Sequence, residues 1–175
     1  MSQTQDAEKT IHIKWDGPLT LKDVESLKGP RDYGLYQIYG PDPTYRRVGL
    51  LYIGLAGLSP NSTFGERIPK NDHKCYWGNG DHESVRVYVG RLMGLQTPEN
   101  AEWTRDIQLA EGLLIHAHYP PYNVQKDGIA DKAEFPYLRV LNWDNYRDLF
   151  QEISGERLRE RSKLLKIYEG SASKV

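Results

Sequence analysis

Apolar and polar residues alternate from Ile11 to Trp15, with Ile11, Ile13 and Trp15 separated by His12 and Lys14, until Asp16-Gly17-Pro18 breaks the pattern. That period of two predicts a short half-buried strand. Residues 1–10 carry no such pattern and are expected as a disordered lead-in. Thr20 is a ready cap for a short helix over residues 19–27, which Gly29-Pro30 would close. Two apolar runs follow, at residues 33–39 and 48–55, on either side of Gly40-Pro41-Asp42-Pro43. Their spacing predicts an antiparallel hairpin. Val85, Val87 and Val89, alternating with Arg86 and Tyr88, predict a third strand of the same sheet.

Helical periods dominate later in the chain. Residues 63–70 predict a short helix interrupted by Pro69, and 71–82 a loop around Trp77-Gly78-Asn79-Gly80. The longest helix is expected over residues 98–118. Its stripe is Trp103, Ile107, Ala110, Leu114 and Ala117, and Pro120-Pro121 end it. A strand is expected at 135–141, then helices at 144–153 and 156–168, parted by Gly155. The expected fold is a single α+β domain over residues 11–175. It would hold a small three-stranded antiparallel sheet flanked by helices, with extra N- and C-terminal elements.

Glu111 departs from the stripe of the long helix. At about 100° per residue it lies about 40° round from Ile107, while Leu114 lies about 20° to the other side. A carboxylate therefore points into or beside the apolar arc, where an unpaired charge is costly. A basic partner, a raised pKa or a metal ion would compensate it. A salt bridge at the helix margin is the ordinary solution.

Composition narrows the setting more than the function. The chain has 175 residues, 38% hydrophobic and 27% charged, which suits one soluble domain with a real core. Its 23 Lys and Arg balance 24 Asp and Glu, so no global basic field points to nucleic acid. A DNA-binding protein of this composition would need a local basic face. Cys75 is the single cysteine, which excludes an internal disulfide. No run approaches the ~18 apolar residues of a membrane span, and the N-terminus has no hydrophobic signal core. The expected compartment is the cytoplasm, with no membrane partner. The 12 tyrosines stand out, since they combine apolar area with hydroxyl chemistry.

The hairpin carries Gly34-Leu35-Tyr36 on its first strand and Tyr52-Ile53-Gly54 on its second. Further on come Arg67 in Phe64-Gly65-Glu66-Arg67-Ile68, Glu111 on the long helix, and Asn123 after Pro120-Pro121-Tyr122. This order resembles the GIY-YIG nucleases over residues 33–123, about half the chain. Leucine replaces isoleucine in the first tripeptide, and Ser59-Pro60-Asn61-Ser62 lengthens the loop before Arg67. The flanks, 1–32 and 124–175, resemble no family we can name.

The resemblance implies a metal-dependent endonuclease that hydrolyses DNA phosphodiester bonds. Glu111 would hold a divalent cation, Mg²⁺ or another such as Mn²⁺. Tyr36 would be the general base, and Tyr52 would hydrogen-bond the scissile phosphate or Tyr36. Arg67 would neutralise charge on the phosphoryl group, while Asn123 would hold the helix end and the site backbone. Ionising a free tyrosine of pKa about 10 costs roughly 4 kcal/mol near pH 7, which nearby cations such as Arg67 would lower.

Other polar residues invite smaller roles. His73 could join the site as an acid, base or phosphate donor, and His118 could be the hydrogen-bond partner of Glu111. His116 is expected in solvent. Lys70, Lys74, Arg86 and Arg91 are candidate phosphate contacts. His73-Lys74-Cys75 lacks the second Cys/His cluster that a zinc site needs. The added segments wrap the catalytic core without a linker, which favours a compact site-specific restriction endonuclease. Such an enzyme would form a homodimer or cut its strands in two encounters. A free-standing repair or structure-specific nuclease is the alternative role. A non-catalytic nucleic-acid-binding module and an unrelated α+β domain with a tyrosine-rich core are the other readings.

Overall fold

The computed structural model describes residues 9–41, 48–58, 62–69, 83–94, 98–123, 135–160 and 163. In chain order the elements are β1 (Lys9–Leu19), α1 (Leu21–Glu25), β2 (Gly34–Pro41), β3 (Val48–Ala56), α2 (Phe64–Arg67), β4 (Arg86–Leu92) and α3 (Ala101–His118). A 3₁₀ turn (Phe135–Tyr137) then leads into β5 (Leu138–Asp144), and β6 (Glu152–Ser154) follows. The chain is helical again over residues 155–160. No helix among the described residues is long and apolar enough to cross a membrane.

The strands form one six-stranded mixed sheet in the order β3-β2-β4-β1-β5-β6, curled into a half-barrel. This overturns the expectation of a small three-stranded antiparallel sheet. The β3-β2-β4 ribbon is antiparallel throughout, but it is only half of the sheet. The other half exists because β1 has partners on both edges, β4 antiparallel and β5 parallel. β1 also runs on past Gly17-Pro18, where the register with β4 shifts between Asp16 and Leu19. A bulge is one of the few places where a strand accepts proline.

Two further expectations are corrected. β1 begins at Lys9, inside the stretch expected as a lead-in, while residues 1–8 lie outside the described part. Residues 144–153 are not helical. Asp144 and Arg147 take positive φ, 63° and 52°, which no helix accommodates. The side chain of Asn142 fixes the resulting loop. Its Oδ1 accepts from Trp15 Nε1 at 2.8 Å, and its Nδ2 donates to Phe150 O at 2.8 Å. The Asn142 backbone N–H donates to Gln151 O at 2.8 Å.

Both faces of the ribbon are covered. On one, Trp103, Ile107, Ala110 and Leu114 of α3 join a core with Trp15, Leu35, Ile53 and Val140. On the other, Val24, Phe64 and Ile68 join Tyr36, Ile38, Val87 and Val89. β2 is accordingly buried from Gly34 to Gly40, with successive side chains entering different cores. Its first residue, Gly34, has φ of 141°, and a Cβ there would lie 2.1 Å from Gly90 O.

Candidate active site

In the β2–β3 register Tyr36 faces Gly54 and Ile38 faces Tyr52. Residues 36 and 38 share a sheet face, so the two tyrosines meet diagonally across Gly54. Their ring centroids are 6.0 Å apart with planes tilted by 34°. A Cβ on Gly54 would lie 2.6 Å from the Tyr36 hydroxyl oxygen and 2.6 Å from Cε1 of Tyr52. Gly54 is therefore the floor on which the two rings rest, and any side chain there would lift both.

Helices bring two charges to the Tyr36 hydroxyl. Arg67, at the end of α2, is exposed, hydrogen-bonds the hydroxyl and faces it with its charge. Glu111, midway along α3, is only 5% exposed, and its negative charge also acts on Tyr36. Side chains from β3, α2 and α3 thus act together on one phenol of β2.

The electrostatics differ from the expectation that cations ease ionisation. Burial of Tyr36 raises its pKa far above the ordinary 10.0, and the charges of Tyr52 and Glu111 add to the rise. Arg67 acts in the opposite direction through both its charge and its hydrogen bond, but burial outweighs it. In this form of the protein Tyr36 is a neutral hydroxyl.

Asn123 holds the site from outside. β3 is an edge strand, and Asn123 pairs with the Ile53 backbone as another strand would. Its Oδ1 accepts from Ile53 N at 2.9 Å, and its Nδ2 donates to Ile53 O at 2.7 Å. Tyr122 N donates to Leu51 O at 3.1 Å beside it. Ile53 sits between Tyr52 and Gly54, so the bidentate amide fixes the backbone of both.

The remaining candidates among the described residues have other partners. His118 does not bond Glu111, because both of its ring nitrogens are occupied by Leu114 O at 2.9 Å and Phe150 N at 3.0 Å. His116 is partly buried, edge-on to Phe135 at 5.6 Å, rather than in solvent. Arg91 donates to Arg31 O at 2.9 Å, Asp16 at 3.0 Å and Asp32 at 2.8 Å, and lies over the Phe64 ring. That set of bonds ties β4 to β1 and to the segment before β2. Arg86 donates to the carbonyls of Glu83 and Val85. His73, Lys70 and Lys74 lie outside the described residues.

Among the described residues no three His, Cys, Asp or Glu side chains gather into a ready metal cage. Glu111 offers one hard carboxylate ligand, with the Tyr36 phenol within reach of its charge. That donor set suits a hard divalent ion whose remaining ligands are water and substrate oxygens. Searches among family models, curated proteins and solved structures found no match to the chain.

Proposed function

We propose that the chain is a metal-dependent endonuclease of the GIY-YIG type that hydrolyses DNA phosphodiester bonds. One observation carries this reading: Arg67 hydrogen-bonds the hydroxyl of Tyr36, the charges of Tyr52 and Glu111 act on it, and both tyrosine rings lie over the bare backbone of Gly54. Phosphoryl transfer needs placement and charge stabilisation more than covalent chemistry, and this cluster supplies both. Glu111 would hold Mg²⁺ or Mn²⁺, whose chemistry is to polarise a phosphoryl oxygen and acidify water.

In its minor ionised form, its own proton already lost to solvent, Tyr36 takes the proton of the attacking water. Arg67, exposed on one side and bonded to Tyr36 on the other, reaches a phosphoryl oxygen with its free donors. Tyr52 donates to the phosphate, and Asn123 keeps β3 in register. A base that is neutral at rest makes the rate depend on a minor ionised form. Cleavage should therefore rise roughly tenfold per pH unit from about pH 6 to 9. A plateau below about pH 8 would remove ionised Tyr36 as the base.

The raised pKa of Tyr36 also favours a second reading. A neutral phenol is a good phosphate donor, as a nucleic-acid-binding module without catalysis would need. Incubating the protein with supercoiled, long linear and branched DNA, in Mg²⁺ or EDTA beside Tyr36→Phe, separates the two. Discrete fragments that require Mg²⁺ and Tyr36 would establish site-specific cutting of the restriction kind. Nicking or smearing with the same dependence would place the enzyme with repair or structure-specific nucleases. Binding without cleavage would favour the module, and neither binding nor cleavage would remove both readings.

A further inference from the structure

His118 ends α3 and meets the loop between β5 and β6. The Phe150 N–H, which can only donate, points at Nε2 at 3.0 Å. Nε2 must then be a bare acceptor, so the proton sits on Nδ1 and is donated to Leu114 O at 2.9 Å. The Phe150 ring lies against the imidazole with centroids 4.8 Å apart. Both nitrogens are used, and they define one neutral tautomer.

The same loop has other anchors. Asp148 N donates to the Tyr39 hydroxyl at 3.3 Å, and Asn145 N to Trp15 O at 3.3 Å. Arg147 lies over the Tyr39 ring at 4.2 Å and donates to the Tyr88 hydroxyl at 3.2 Å. Asn142 holds Phe150 O and Gln151 O. None of these loses its acceptor in mild acid, since burial keeps the Tyr39 phenol neutral. His118 does.

We propose that His118 is a proton-operated latch on the Phe150 amide: the neutral ring holds it, and protonation converts Nε2 to a donor and releases it. Asn142, through Phe150 O and Gln151 O, the Tyr39 hydroxyl, through Asp148 N, and Arg147 keep the loop in place, so the release is confined to the Phe150 N–H.

Among the described residues, the surrounding elements carry Glu102, Arg105, Asp106, Glu111, His116 and Tyr119 on or just after α3, Arg139 and Asp144 on β5, Tyr146, Arg147 and Asp148 in the loop, and Glu152 on β6 as titratable or charged groups. Arg147 is engaged by Tyr88, and Glu152 pairs with Arg139 at 3.5 Å. What acts on the His118 ring is burial, which lowers its pKa below the ordinary 6.5, against a smaller opposite effect of Leu114 O. A lowered folded pKa means that the folded loop binds fewer protons than the released one. The latch is therefore whole above about pH 6.5 and is lost as pH falls below it.

NMR of the full chain, with hydrogen exchange at Phe150, tests this against His118→Gln and His116→Gln. Glutamine can accept from Phe150 without titrating. The expected result is an Nδ1–H imidazole at pH 8 and a Phe150 amide resonance that titrates with His118. Protection at Phe150 should fall by up to about tenfold per pH unit below about pH 6.5, relative to His118→Gln. His116→Gln should behave like the unmodified protein. An Nε2–H tautomer at pH 8, a Phe150 amide blind to pH, or an equal response in His118→Gln would overturn the latch. Should His118→Gln not fold, tautomer and amide titration in the unmodified chain decide alone.

Discussion

Glu111→Gln is expected to lower Mg²⁺-dependent DNA cleavage on the order of 10³-fold while leaving the protein folded. Glutamine keeps the shape of the side chain and removes the charge that would hold a divalent cation. The loss of one preorganised electrostatic group at such a centre is worth about 10²–10³ in rate, and the metal adds to it. Folding is expected to hold, because glutamine keeps the size and one acceptor oxygen of a side chain that is only 5% exposed. The Tyr36 pKa should also fall, since the Glu111 charge contributes to its rise. Single-turnover cleavage of supercoiled DNA beside a thermal melt separates these effects. A variant that cuts at the unmodified rate would take Glu111 out of the reaction. One that cuts slowly and melts early would make it a packing residue.

Gly34→Ala is expected to cost about 3–5 kcal/mol, enough to leave most single domains barely folded. Two effects combine there. The φ of 141° is open to glycine and strained for any other residue, and the added Cβ would meet Gly90 O at 2.1 Å. Neither backbone can retreat easily, because Leu35 pairs with Gly90 and Gly90 lies under the Trp15 ring. The unfolding midpoint in urea measures the loss. A change below about 1 kcal/mol would mean that β2 and β4 slide apart more freely than their register implies.

Much of the local structure was legible because its signal is local. Two apolar runs gave the β2–β3 pair, although Gly40 and Pro41, expected in the turn, belong to β2 and pair with Gly49 and Val48; alternating valines gave β4, and a period near 3.6 gave α3. The parallel pairing of β1 with β5 had no such signal, since the partners are far apart and no turn joins them. Leu149 and Ile153, four residues apart, imitate a helical face. What sets that segment is Asn142 and His118, which hold it from elsewhere in the fold.

The site divides along the same line. Glu111 was visible as a carboxylate out of place on its helix. The seating of Asn123 on the Ile53 backbone was not, because it depends on which strand lies at the sheet edge. Nor was the direction of the Tyr36 pKa. Arg67 can be read from the chain, but the burial that outweighs it comes from packing of the whole domain.

The position of β1 has a consequence for how the chain is made. A ribosome delivers this strand before either of its neighbours. Its Lys14 waits for Arg91 on one side and for Trp143 on the other. A nascent chain halted before residue 138 can close the β4 side of β1 but leaves the other edge bare. That edge is a line of unsatisfied amides and carbonyls, open to a chaperone or to the same strand of another unfinished copy. Completion of β5 is the step at which that edge of β1 closes, and β6 then covers β5 in turn.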